Sequence, residues 1–253
     1  MKETARMDTW KYYGITHRDA VFLNPMSERK FDELIGLLDL PPGGRALDIA
    51  CGKAELLRRI SRRYRASGVG VDISPYEVAA ARKRNVEQGL DRRIEIVEGG
   101  GADYRGEPES FDLTTCIGAS WVWQGLAGTL EALKALTKPG GLIAVGEPYR
   151  LKEPDPEYVE TAGGFVANLV THHENVKLGQ AAELTYLYAI VSDQSDWDRY
   201  TGLNKRAAEL YAAESPDDPD VPELLARVRK DAETYLRWGR DTVGWAVYLF
   251  RKP

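Results

Sequence analysis

The stretch ALDIACGKAELL, residues 46–57, constrains this chain more than any other. RALDIA reads as a buried strand and KAELLRRISRRY as an amphipathic helix, with only Cys51 and Gly52 between them. The same alternation continues downstream. GVGVDIS is a second strand, and Ser74 and Pro75 then open a helix as cap and first-turn residue. RIEIVEG and FDLTTCIGA are strands three and four. LAGTLEALKALTKPGG is a helix with Leu126, Leu130, Leu133 and Leu136 on one face, stopped by Pro139 and two glycines, and LIAVGEPY is strand five. Alternating strands and helices predict an α/β fold with a mostly parallel sheet and helices on both faces.

After Tyr149 the pattern loosens. LKEPDPEY is a proline-rich loop, residues 158–171 are helix-compatible, and ELTYLYAIVSD is a long strand. Helical stretches at 196–213 and 221–238 flank the turn ESPDDPD, and GWAVYLFRK closes the chain as a strand. This divides the chain into a helical cap (1–40, bearing Trp10, Tyr12 and Tyr13), an α/β core (41–194), a helical insertion (195–243) and a final core strand (244–253).

A chain of 253 residues with 43% hydrophobic content suits one globular domain with at most an appended subdomain. Two cysteines, Cys51 and Cys116, are too few for a disulfide framework, so a reducing cytoplasm is expected and both read as buried, inert thiols. The first residues lack an apolar stretch of signal-peptide type, and no segment approaches the ~20 apolar residues of a membrane span. A net charge of -5 argues against a nucleic-acid partner. The densest basic stretch, RRISRRYR, reads as a solvated helix face opposite Leu56, Leu57, Ile60 and Tyr64.

In a doubly wound sheet, ligands bind outside the carboxyl ends of the strands where the strand order reverses. The turn after the first strand must admit a ligand close to backbone, hence Gly52. Asp72, at the end of the second strand, follows Asp48 by about the spacing at which a carboxylate accepts ribose hydroxyls. A nucleoside crevice follows. A dinucleotide fold would carry G-x-G-x-x-G here, but this turn reads Ala50-Cys51-Gly52-Lys53-Ala54-Glu55. One glycine and an acid, Glu55, favour a cationic ligand over a phosphate, which disfavours a nicotinamide-dependent dehydrogenase.

At these residues the chain resembles the class I S-adenosylmethionine-dependent methyltransferases. Their first motif has the form hydrophobic-Asp-x-Gly/Ala-Cys-Gly-x-Gly and reads LDIACGKAE here, with Ala54 replacing the last glycine. GVDIS, EGGGAD, FDLTTCIGAS and LTKPGGLIAVGEP occupy the later motifs, in order, over about residues 45–150. GEPY and a later WDRY point to a branch of bacterial small-molecule methyltransferases. The resemblance implies a seven-stranded Rossmann-like sheet, mostly parallel with an antiparallel last strand. It also implies S-adenosyl-L-methionine as cofactor, a small-molecule methyl acceptor and no metal. Asp48 and Gly52 would shape the methionine pocket, with Ala50 and Cys51 beside them. Asp72 would bind the ribose, with Ile73 adjoining. Gly101 and Ala102 would flank the adenine, and Ile117 and Gly118 would lie beneath the sulfonium. The third motif usually offers an acid to the adenine, but Gly100 stands there, leaving Asp103 as the nearest candidate.

Methyl transfer rests mainly on positioning, with a base needed only where the acceptor loses a proton. Glu147 and Tyr149, following strand five, are catalytic candidates. His172 is a third, although adjacent His172 and His173 face directions about 100° apart on a helix and cannot share one pocket. Trp121 and Trp123 either wall the acceptor pocket or pack as ordinary aromatics. Inserted helices beside a crevice act as lids, so Trp197 and Tyr200 are expected to roof a pocket fit for a compact acceptor. The alternative function is a regulatory protein that binds S-adenosylmethionine without transferring its methyl group.

Overall fold

The computed structural model describes residues 7–253, so residues 1–6 of the expected cap lie outside the described residues. Seven strands form one sheet: β1 (Arg45–Ile49), β2 (Ser67–Asp72), β3 (Ile94–Glu98), β4 (Phe111–Ile117), β5 (Thr137–Arg150), β6 (Thr185–Val191) and β7 (Val243–Arg251). Their order is β3-β2-β1-β4-β5-β7-β6, with β7 antiparallel to both neighbours and the other pairings parallel. The order reverses between β1 and β4. Ile49 and Cys116 are register partners at that switch point, where this class of sheet binds ligands.

The period-2 alternation of the strands feeds two cores. Trp245, Val247 and Leu249 of β7 face one layer, and Ala246, Tyr248 and Phe250 face the other. The first layer is closed by α2 (Glu28–Leu37), α3 (Glu55–Tyr64) and α4 (Pro75–Glu87), through Phe31, Leu34, Leu57, Ile60 and Val78. The second is closed by α5 (Leu126–Leu136), with Leu130 and Leu133 fully buried. Burying these large side chains contributes about 1.5–3 kcal/mol each, which holds the strand ends in a fixed register.

In the basic stretch Arg62, Arg63 and Arg65 are exposed, as a solvated face requires, and Arg58 departs from it. Arg58 is completely buried, bonding the Lys53 carbonyl at 2.7 Å, Glu55 at 2.7 Å and Asn85 at 3.2 Å. A buried guanidinium is tolerable because carboxylate and carbonyl partners satisfy its donors. Helix α5 ends at Leu136 rather than running on to the glycines, because β-branched Thr137 and the residue before Pro139 favour extended backbone. Thr137 therefore starts β5, its hydroxyl donating to the Leu133 carbonyl at 2.7 Å.

A proline-rich loop contains the start of α6 (Pro156–Ala162), capped by Asp155, and α7 (Gly164–Ala167) follows. A further helix, α8 (His172–Ala181), leads to β6. Between β6 and β7 stand α9 (Gln194–Glu214) and α10 (Val221–Thr234), the latter running into a π-turn, Tyr235–Gly239. The N-terminal helix α1 (Thr9–Thr16) packs on this pair: Met7, Tyr12 and Ile15 share a core with Ala208, Leu224 and Val228. Lys11 bridges Asp218 and Asp220, and Lys30 of α2 bridges Asp193 and Asp196 at the start of α9. The two segments form one helical roof over the strand ends.

Candidate functional site

The turn after β1 holds its shape through Asp72. One carboxylate oxygen accepts the Gly52 N–H at 2.8 Å and the other accepts the Ser74 N–H at 2.8 Å. Both the turn after β1 and the cap of α4 therefore hang on one side chain. Gly52 adopts φ +51°, and a Cβ there would meet Leu23 at 2.8 Å. At Gly101 a Cβ would meet Ile49 at 2.5 Å, and at Gly118, with φ +85°, it would collide with Asn24. The missing side chains at these three positions leave room for Leu23, Ile49 and Asn24 to pack closely against the backbone.

A hollow follows these bare positions. Asp48, Ala50, Cys51, Gly52, Asp72, Glu77, Ile117 and Gly118 line one half, together with His17, Leu23 and Asn24 from the N-terminal segment. The other half is lined by Trp10, Ile73, Gly101, Ala102, Trp121 and Val122. The nine residues Asp48, Ala50, Cys51, Gly52, Asp72, Ile73, Gly101, Ala102 and Gly118, with Ile117, are thus brought together. Asp103 is not: it is exposed, with its carboxylate turned towards Gly100.

The electrostatics are acidic, though not for the expected reason. Glu55 is neutralised by Arg58 and Arg59. The free carboxyls are Asp48, Asp72 and Glu77. Burial pushes Asp48 up to about 7, against a 2.6 Å hydrogen bond donated by Thr115 that favours its ionised form. Glu77 is pushed up to about 6 by burial, and its Oε2 has no partner. The cation among them, Lys53, is spent on backbone, donating to the carbonyls of His17 at 2.7 Å and Ala20 at 2.9 Å. Burial and nearby Asp48, Asp72 and Glu77 hold the Cys51 thiol well above its usual range, and burial does the same for Cys116, so neither is a reactive thiolate. A hollow with unpaired carboxyls and no unengaged ammonium fits a sulfonium and an α-ammonium, and repels a pyrophosphate.

A family profile described as a methyltransferase domain matches residues 46–141. An uncharacterized protein of Escherichia coli K12, YjhP, is 30% identical over 96% of this chain and 98% of its own length. The chain belongs to the class I S-adenosylmethionine-dependent methyltransferases. A methyltransferase from Geobacter sulfurreducens, solved in complex with S-adenosyl-L-homocysteine, superposes with a TM-score of 0.90. It is 26% identical, with 98% of this chain and 99% of that one covered. A 27-O-demethylrifamycin SV methyltransferase from Amycolatopsis mediterranei is 24% identical over 96% of this chain and 89% of that one. The cofactor of this methyltransferase is S-adenosylmethionine.

Beside the hollow, and sharing Leu23, Asn24, Gly118 and Trp121 with it, the methyltransferase has a cavity of about 720 Å³. Glu147, Pro148, Ser120, Asn168, Trp197, Tyr200 and Trp245 are on its walls. Glu147 does not follow β5 but lies within it, paired with Ala246 of β7. Burial pushes its carboxyl up to about 7, with the Ser120 hydroxyl pulling the other way, and its Oε2 is buried without a partner. Tyr149 and His172 do not line this cavity. Tyr149 is buried against Gly244, and His172 packs on Tyr149 and bonds the Tyr248 hydroxyl through Nδ1 at 3.1 Å. Trp123 is also elsewhere, packed in the core beneath Gly101, whereas Trp121 is 64% exposed at the junction of hollow and cavity.

Sequence reasoning missed His17, Leu23 and Asn24, which carry no motif. Asn24 lies over Gly118 and, with its amide nitrogen turned to Ile117, donates to that carbonyl at 3.1 Å. His17 is buried, and its Nε2 lies 2.9 Å from the Tyr200 hydroxyl, so cap and insertion meet beside the cofactor hollow. Burial drives its pKa down to about 4, leaving a neutral imidazole.

Proposed function

We propose that this methyltransferase transfers the methyl group to a small-molecule acceptor held in the cavity beside Gly118. The observation that carries this reading is Glu147: a half-buried carboxyl, with no cationic partner, on the wall of a cavity next to the cofactor hollow. The likeness to the rifamycin methyltransferase agrees with a small acceptor, and a concave, largely apolar cavity of this size suits one.

In this reading Asp72 takes the ribose hydroxyls, and Asp48 and Glu77 face the cationic methionine portion. The adenine rests between Ile73 and the Gly101–Ala102 backbone, gripped by shape and apolar contact in place of a carboxylate. The chemistry supplied by bound S-adenosylmethionine is an electrophilic methyl group on a sulfonium. The chain's own residues align the nucleophile: Trp121 and Asn24 bound the passage between hollow and cavity, and Glu147 accepts the proton that an attacking hydroxyl or amine must lose. Tyr149 and His172 act behind it, holding the end of β5 against β7. The described part of the cap (7–40) and the insertion (195–243) serve as one lid over the core.

The test is direct. Enzyme, isotopically labelled methyl donor and a panel of phenols, alcohols and amines should yield labelled product and S-adenosylhomocysteine. Tight cofactor binding with no turnover on any acceptor of an unbiased metabolite extract would favour a non-catalytic, regulatory role instead.

A further inference from the structure

A second chamber of about 410 Å³ adjoins the acceptor cavity, with Phe165, Trp197 and Tyr200 shared between them. It is bordered by α1, α6, α9 and α10, and tyrosines dominate its walls: Tyr12, Tyr13, Tyr158 and Tyr235 join the shared Tyr200. Three of their hydroxyls are already engaged. Tyr12 donates to Asp231 at 3.1 Å, Tyr235 donates to Asp198 at 2.7 Å, and Tyr200 meets His17. What these three rings offer a ligand is therefore apolar surface.

Charge narrows the ligand further. Among the residues lining the first cavity, Glu147 is the only acid and no lysine, arginine or histidine is present. In the second, Arg227 lies over the Tyr12 ring at 3.7 Å and within 4.0 Å of Asp231, while Lys230 is exposed. Neither chamber offers a buried free cation to an anion.

Resting on the acceptor reading of the first cavity, we propose that the acceptor is an elongated, uncharged or weakly basic molecule spanning both chambers. Its nucleophilic end lies at Glu147. Its apolar body passes Trp197 into the tyrosine-lined chamber and packs on the rings there. A compact acceptor, as the insertion suggests when read alone, would leave the second chamber unused.

Binding of 4-alkylphenols from methyl to hexyl tests this, measured by displacement of the neutral fluorophore N-phenyl-1-naphthylamine from the full chain saturated with S-adenosylhomocysteine. Affinity should rise roughly three- to fourfold per methylene through the longest member, and matched 4-alkylbenzoates should bind at least tenfold more weakly. Thr201→Trp fills the second chamber without lining the first. It should abolish the gain for hexylphenol and spare methylphenol, with Thr161→Trp doing so from the opposite wall. An affinity plateau at short chains, or benzoates binding as well as phenols, overturns the proposal. Failure of the methyltransferase reading would show separately, as loss of S-adenosylhomocysteine binding in calorimetry.

Discussion

Lys53 Nζ donates to the carbonyl of His17 at 2.7 Å, across 36 residues of chain, and the same ammonium reaches the carbonyls of Arg18 and Ala20. The residue that follows Gly52 thereby clamps the N-terminal segment that lines the hollow. Hydrogen bonds to a charged group contribute about 1.5–3 kcal/mol. Lys53→Met keeps the stem and removes the donors. It should speed release of S-adenosylhomocysteine at least tenfold, a change of about 1.4 kcal/mol, read by stopped-flow fluorescence of Trp10 and Trp121 at the hollow. Unchanged release would mean that the segment does not retain the cofactor.

Asp48 makes cofactor binding depend on pH. In the free protein its pKa stands raised at about 7, so near neutrality a large share is protonated. A bound cation favours the ionised form, so binding expels that proton and strengthens as pH rises through 7. Affinity for S-adenosylmethionine should be roughly tenfold higher at pH 8 than at pH 6. Binding enthalpy should vary with the ionisation enthalpy of the buffer. Asp48→Asn should flatten both dependences; if it leaves them intact, the proton comes from another group.

Glu147→Gln keeps the shape of the side chain and removes the base. This variant should bind S-adenosylmethionine normally, melt near the parent temperature and turn over at least tenfold more slowly, a barrier increase of about 1.4 kcal/mol. At saturating cofactor, parent kcat/KM for the acceptor should rise with pH through about 7 as Glu147 ionises, and the variant should lack that limb. A variant that melts far lower yet keeps its turnover would assign Glu147 to the scaffold.

Asp72→Ala should weaken the cofactor by about 1.5–3 kcal/mol per ribose hydrogen bond lost. Because Asp72 also accepts the Gly52 and Ser74 N–H groups, the variant should lose thermal stability even without ligand. Full affinity in a folded variant, by calorimetry, would remove Asp72 from the ribose.

Trp197→Ala should raise the acceptor KM several-fold with cofactor affinity nearly intact, since Trp197 lines both acceptor chambers and not the hollow. Tyr200 differs, because its hydroxyl bonds His17, which lines the cofactor side. Tyr200→Phe should therefore disturb both ligands. Steady-state kinetics with each substrate varied in turn will separate the two residues.

What was legible in the sequence was local or periodic. The strand-turn-helix at residues 45–64, Asp72 at the end of β2, the Ser74-Pro75 start of α4 and the closing strand β7 need only neighbouring residues, because caps, turns and strand runs are set within a few positions along the chain. What tertiary structure decided was which charges find partners across long separations. Glu55 looks like the acid of the cofactor turn, yet Arg58 and Arg59 consume it, while Glu28 and Asp32 from another helix help to fix Arg59. Lys53 looks like a free cation until the His17–Ala20 segment folds over it. Asn24 and His17 carry no motif, and only the packing of α1 on α9 and α10 brings them over the strand ends. Burial completes the site in the same way. Asp48 and Glu147 are ordinary carboxyls in the chain, and their proton affinities shift only once the sheet and its helical roof exclude water around them.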